Sequence, residues 1–303
     1  MEIKWIEAFV ALADEHHFGR AAGRVGVGQS GFSQMIRKLE AEVGTSLFER
    51  STRAVAITPA GEAMLPYAKR MLWELRSATG AALSSDHEVR GTLSLGFAGI
   101  DGLNIIPRFI RELRARHPRL RLDLHSPMVT GVSIARVKEG SLDFAFVGLE
   151  APPEDLAHMV IGRERVGVVL PLDHRLAREE LVDVSALADE TFIAAPAQGG
   201  SAIQNVARAA VSRAGFEPII GEETNDPSVR LTLVAAGLGV SFAMMSSQRL
   251  LPPGAVIIPV EPALFFNHAV VWASENPPPS VLAAVSALEH LVPGAGRGDP
   301  IPE

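Results

Sequence analysis

Between Gln29 and Arg37 the chain carries Gln29, Ser30, Ser33, Gln34 and Arg37 at intervals that gather them on one side of a helix. Such a face can exchange hydrogen bonds with base edges, and its arginine can meet phosphate. Six basic residues lie between 20 and 53 (Arg20, Arg24, Arg37, Lys38, Arg50 and Arg53) against Glu40, Glu42 and Glu49. Other reactive chemistry is scarce. The chain has 0 cysteines, which removes disulfides, thiolate metal sites and cysteine nucleophiles and suits a reducing cytosol. Its 9 histidines show no HExxH or other ligand spacing. No G-x-S-x-G elbow is present and no carboxylate pair stands out, so an enzyme has little support. GVGQSG, residues 26–31, fits G-x-G-x-x-G, but it follows a helical stretch instead of a strand and fails as a dinucleotide loop. Neither a metal nor a cofactor is expected.

The polar face needs a scaffold. Residues 2–14 put Ile3, Ile6, Phe9, Val10 and Ala13 on one helical side, and a short helix over about 18–25 carries Ala21, Ala22 and Val25. After a tight turn, Phe32, Ile36, Leu39 and Val43 form a buried stripe on a helix from Gln29. Leu47 and Phe48 return to the core, and STRAVAIT reads as two short strands with Arg50 and Arg53 at their tip. Thr58-Pro59 starts a further helix, to about Leu83, by a capping hydroxyl and a first-turn proline. Its seam Met64, Ala68, Met71, Leu75, Ala78, Ala82 steps as an a/d repeat. That predicts a dimerisation helix, the alternative being a helix lying on its own domain. Pro66 should kink or loosen it.

Beyond the polar stretch 84–91, strands alternate with helices, which predicts a parallel sheet with helices on both faces. Strands are expected at 92–98, 120–126, 142–148, 165–170, 191–195, 219–224, 239–244 and 268–273, and helices at 103–116, 130–139, 201–214, 227–236 and 279–291. Gly140 and Gly237 are 97 apart, as are Pro118 and Gly215, so two strand-helix-strand-helix-strand units repeat with crossovers near 162 and 265. Ligands in such folds sit at the carboxyl ends of strands. Residues 1–90 hold 11 Lys/Arg and 11 Asp/Glu, so the whole net charge of −7 lies in the acidic remainder. No apolar run approaches the ~18 residues a membrane span needs, and the acidic, amphipathic start is unlike a signal peptide.

FGRAAGRVGVGQSGFSQMIRKLE, then GTSLFER, then ITPAG, occur in the order and at the spacing of LysR-type transcriptional regulators, which this chain resembles over nearly its whole length. The resemblance implies a winged helix-turn-helix (1–58), a linker dimerisation helix and hinge (59–90) and a periplasmic-binding-protein-like α/β effector domain (91–303). Lobe one would be 91–162 plus 267–303, and lobe two 163–266. It further implies a cytoplasmic homodimer or homotetramer acting with RNA polymerase on a promoter inverted repeat with a T-N11-A core. Gln29, Ser30 and Ser33 match family DNA contacts, and Arg53 matches a wing arginine. Three positions depart from the family pattern: Gly28 in place of Ser, Gly31 in place of Ala, and Gln34 where Arg is frequent. Gln pairs bidentately with adenine, not guanine.

For the effector, geometry and resemblance together select Gly99, Ile100, Asp101, Phe146 and Asp226. Thr130 matches a residue that hydrogen-bonds effectors in relatives sensing aromatic-pathway acids, and Ser201, Ala202 and Ile203 match the facing stretch. Helix starts at Asp101, Thr130, Ser201 and Asp226 offer N–H groups to an anion. A small carboxylate or aromatic acid is therefore expected, although Ile100 replaces a frequent Ser or Thr. Phe144, Phe146, Phe242, Met244 and Met245 fit either a core or an adaptable pocket lining. The alternative function is a two-lobed solute-binding or sensor protein that does not bind DNA.

Overall fold

The computed structural model describes residues 1–50, 55–84, 88–97, 105–197 and 200–298. They fall into two compact units, Met1–Ala82 with the turn Glu139–Ser141, and Leu83–Lys138 with Leu142–Glu303.

In the first unit, α1 (Ile3–Glu15), α2 (Phe18–Val25) and α3 (Gln29–Val43) close around Phe9, Leu12, Phe32, Ile36 and Leu39, all fully buried. Two histidines make the first corner. His16 ends α1 in the left-handed conformation at φ 49°. His17 caps α2, its Nδ1 accepting from the N–H groups of Gly19 and Arg20 at 3.0 and 3.3 Å. Strand β1 (Phe48–Arg50) pairs antiparallel with β2 (Val55–Ile57). The first wing strand thus starts at Phe48, upstream of the expected STRAVAIT, because Phe48 packs inward and Glu40 takes the N–H groups of Leu47 and Phe48. Helix α4 (Pro59–Leu83) is capped by Thr58, whose hydroxyl accepts from Gly61 N–H and donates to the Ser46 carbonyl. A side chain at Gly61 would start 2.4 Å from the Leu47 carbonyl oxygen, so the Thr-Pro-Ala-Gly stretch is the contact that seats α4 on the wing. The helix runs on through Pro66. Its seam divides: Met64 and Ala68 pack on the core of this unit, while Met71 and Leu75 are 51% and 40% exposed.

The second unit contains the repeat legible in the sequence. β3 (Gly91–Gly96), α5 (Ile106–Arg116), β4 (Leu120–His125), α6 (Thr130–Lys138) and β5 (Phe144–Gly148) make one lobe, with β3 between β4 and β5 and all three parallel. β8 (Thr191–Ala194), α7 (Ala202–Arg213), β9 (Ile219–Glu223), α8 (Pro227–Ala235) and β10 (Ser241–Met244) make the other, with β8 parallel to β9 and bridged to Val240, just before β10. Gly140, Gly215 and Gly237 end their helices at φ 71°, 84° and 80°, a region that favours glycine.

The purely parallel sheet is corrected. β6 (Leu156–Pro171) and β11 (Ala255–Ala273) are long strands, antiparallel to each other. β11 also runs antiparallel to β5, and β6 to β10, so the main sheet is mixed. Only the ends of each were expected as strand. Gly162-Arg163-Glu164-Arg165 interrupts the apolar pattern of β6, and Pro259 and Pro262 discourage a strand reading of β11. The structure absorbs those prolines in a register shift between Pro259 and Leu264. Short β7 (Val182–Asp183) pairs with β11, and α9 (Pro279–Leu291) covers the first lobe. The lobes have separate cores, one around Phe109, Phe144 and Trp272, the other around Phe192, Val211 and Phe242. Among the described residues no helix is long and apolar enough to cross a membrane.

Candidate functional site

Two surfaces gather the candidate residues, one in each unit. On α3, Gln29, Ser30, Gln34 and Arg37 are exposed and Ser33 half-exposed, while Phe32, Ile36 and Leu39 have no exposed surface. The helix opens on Gly28, which supplies no side-chain cap. Its first N–H groups are therefore open to an anion such as phosphate. The basic cluster read from the sequence is partly neutralised from within. Arg20 pairs with Glu15, Arg24 with Asp14 at 3.0 Å, and Lys38 lies over the Trp5 ring at 5.6 Å. Arg50 ends β1; Arg53 lies outside the described residues.

In the second unit a cleft of about 330 Å³ is lined by elements of both lobes. Thr130, Phe146, Ser201, Ala202, Ile203 and Asp226 all reach it, although they lie up to 96 positions apart in the chain. Gly99, Ile100 and Asp101 lie outside the described residues. Three helices begin at this cleft, and their ends differ chemically. Asp226 fills the start of α8 itself, its Oδ1 accepting from Ser228 and Val229 N–H at 2.8 and 3.4 Å. At α6, Gly131 N–H donates to the Gly200 carbonyl at 2.9 Å, a bridge from one lobe to the other. The two glycine backbones lie so close that a side chain at Gly200 would start 2.8 Å from Gly131 Cα. At α7, Ser201 caps with its backbone alone; its side chain makes no cap hydrogen bond and is only 9% exposed.

Thr130 Oγ1 accepts from Gly148 N–H at 3.1 Å, which leaves its hydroxyl proton free to be donated. Around these groups the lining is apolar, with Phe146, Ile161 and Phe266 prominent. Phe144, Phe242 and Met244 are core side chains, so of the aromatic and methionine candidates only Phe146 faces the cleft. Among the lining residues that sequence reasoning missed are the apolar Ile161 and Phe266 and two ionisable side chains, Arg230 and His268. Arg230 lies inside the expected helix 227–236 and His268 opens the expected strand 268–273, whose other residues are hydrophobic, so neither carries a local signal of its own.

A serine, a histidine and an aspartate do meet elsewhere, on β3 and β4. Ser94 Oγ and Asp123 Oδ2 both lie 3.1 Å from His125 Nε2. A hydrolytic relay needs them on opposite ring nitrogens, so this trio cannot pass a proton from serine to aspartate. No cluster of three or more metal-binding side chains occurs among the described residues.

Comparison with known proteins agrees with this division of labour. Residues 3–62 match the family described as bacterial regulatory helix-turn-helix protein, lysR family, and residues 86–292 match the LysR substrate binding domain. The chain is 37% identical over 273 residues to the HTH-type transcriptional regulator ShiR of Corynebacterium glutamicum, covering 90% of this chain and 92% of that one. A full-length OxyR variant from Pseudomonas aeruginosa superposes with a TM-score of 0.68 at 25% identity, over 95% of each chain. Full-length CbnR complexed with its target DNA shares the fold, with a TM-score of 0.70 at 20% identity over 96% of this chain and 99% of that one. With a helix-turn-helix domain that binds DNA and a two-lobed domain that binds an effector, this chain belongs to the LysR family of transcriptional regulators.

Proposed function

We propose that the protein is a cytoplasmic regulator that reads a promoter inverted repeat through Gln29, Ser30, Ser33, Gln34 and Arg37, with Arg50 and Arg53 on the wing. Its switch is a small carboxylate, aromatic or similarly compact, held in the 330 Å³ cleft. One observation carries the ligand chemistry: α7 alone of the three helix starts at the cleft has neither a side-chain cap nor a bridging carbonyl on its first N–H groups among the described residues. Ser201 adds a buried hydroxyl at that point. A carboxylate there would accept from Ser201 and from the N–H groups at the start of α7, and charge-assisted bonds of this kind are about twice as strong as neutral ones. Thr130 would donate from the facing lobe, and Phe146 and Phe266 would cover the apolar body. Asp226 closes α8 and so acts as a wall of the site, not as an anion contact.

The exposed half of the α4 seam, Met71 to Ala82, supports self-association through residues 59–90. Residues 1–58 would then be carried as pairs, with 91–303 setting their spacing and RNA polymerase reading the result. Effector binding moves that equilibrium only by its differential affinity for two arrangements.

The test is thermal unfolding of the full chain with benzoate and with benzamide, its uncharged counterpart. At 100 times its Kd an acid stabilises the folded state by about 2.7 kcal/mol. Benzoate should raise the transition and benzamide should not, and Ser201→Ala should reduce the benzoate shift. Equal shifts from both compounds would remove the anion site. A gel shift on the DNA upstream of the protein's own reading frame tests the other half, and an absence of preference over random duplex would leave a sensor without a promoter.

A further inference from the structure

His268 has no role in the site as described so far. It lies on β11, lines the cleft, and is about four-fifths buried. Its Nε2 is 3.1 Å from Glu164 Oε2, and Glu164, on β6, takes the backbone N–H of Ser246 on its other oxygen at 2.5 Å. Burial pushes the Glu164 carboxyl upward, but the hydrogen bonds from His268 and Ser246 outweigh it and hold the group below the usual carboxylate range. An ionised carboxylate can only accept, so the shared proton belongs to His268 Nε2. That fixes the tautomer. In the neutral ring Nδ1 then carries a lone pair, and Nδ1 has no hydrogen-bond partner among the described residues. Phe266 packs edge-on against the imidazole with centroids 4.8 Å apart, which restrains the ring from a second side.

We infer that His268, backed by Glu164 and Ser246, accepts a hydrogen bond from a hydroxyl on the effector, so that the ligand is a hydroxylated carboxylate and not a simple acid. This rests on the anion site at Ser201 proposed above. A cleft of 330 Å³ is at the small end of ligand sites, so one compact molecule can bring its acid to the start of α7 and its hydroxyl to His268. The competing reading is that the His268–Glu164 pair only ties β11 to β6. A tie has no preference between ligands, whereas a site built around a hydroxyl discriminates strongly against the analogue that lacks it.

The experiment is calorimetric titration of the full chain at about pH 8, where an ordinary imidazole is neutral. The probes are benzoate and its three monohydroxylated isomers. At least one hydroxybenzoate should bind about ten-fold or more tightly than benzoate. His268→Phe should bring that ratio to near one. His268→Gln, whose amide can donate to Glu164 and still accept from the ligand, should keep part of it. Glu164→Gln should shrink the ratio several-fold by releasing the tautomer. Hydroxybenzoates no tighter than benzoate overturn the inference, as does a ratio that survives His268→Phe. If His268→Phe does not fold, a Glu164→Gln ratio several-fold below a tenfold wild-type ratio, with His268→Gln between the two, supports it, and an undiminished ratio in Glu164→Gln overturns it. Binding of benzoate without hydroxyl preference sinks only the His268 role; binding of none of the four acids sinks the anion site as well.

Discussion

The face of α3 and the cleft between the lobes solve the same problem, presenting polar groups to a partner, by opposite means. On α3 about three contiguous turns of sequence, Gln29 to Leu39, contain both the presenting side chains and the stripe that anchors them, so one helix carries its own support. In the cleft no element is sufficient: Thr130, Gly148, Ser201 and His268 line it and Glu164 backs His268, and these five come from four strands and helices plus the residue that opens α7, held together by two long strands. A contiguous site is robust to changes elsewhere and sensitive to its own core. A composite site has the reverse exposure.

The largest expected effect tests that contrast at its root. Phe32 is fully buried beneath the α3 face, and Phe32→Ala should cost about 3–5 kcal/mol. Calorimetry should show the transition of the DNA-binding unit lost or strongly lowered while that of the effector unit stays in place; a uniform fall in both would deny the independence of the two surfaces.

This difference also governs what could be read from the sequence. The 3.6-residue spacing of Phe32, Ile36 and Leu39 is a local signal, and so is Thr58 with Pro59, so the first unit was legible almost residue by residue. The cap at His17 was not, because imidazole is seldom read as a helix-capping acceptor. In the second unit the 97-residue repeat of Gly140 and Gly237 disclosed the lobes. The lengths of β6 and β11 stayed hidden, since Arg163, Glu164 and Arg165 and the two prolines of β11 break the alternation where the chain crosses between lobes. His268 went unseen for the same reason: its value comes from Glu164, 104 positions away, and no periodicity links them.

A second substitution probes the composite site where it is tightest. A side chain at Gly148 would start 2.2 Å from the Phe266 ring and 2.7 Å from Ala202. Gly148→Ala should destabilise the effector unit by about 1–3 kcal/mol and weaken benzoate binding, without moving promoter affinity in the absence of ligand. An unchanged melting transition would show that Phe266 yields freely.

On the DNA side, Gln34→Arg should exchange an adenine preference for guanine at one half-site position, a discrimination of about 1–3 kcal/mol. Binding-site selection giving the same consensus for both proteins would mean that Gln34 does not read a base. The smallest effect is Gly31→Ala. A side chain there meets nothing within 4 Å, so α3 should gain roughly 1 kcal/mol of helix stability, seen as a modest rise in the first transition. A fall would mean that α3 depends on glycine for a reason its own packing does not contain.

The bridge from Gly131 to Gly200 bears on how such a molecule can move. Because it joins backbone to backbone, it ties the two lobes at one point near the cleft, while β6 and β11 hold them elsewhere. Pulling the lobes straight apart sacrifices that bond, about 1 kcal/mol net, whereas swivelling around it leaves it whole. The cheapest response to a ligand in the cleft is thus a twist instead of a gape.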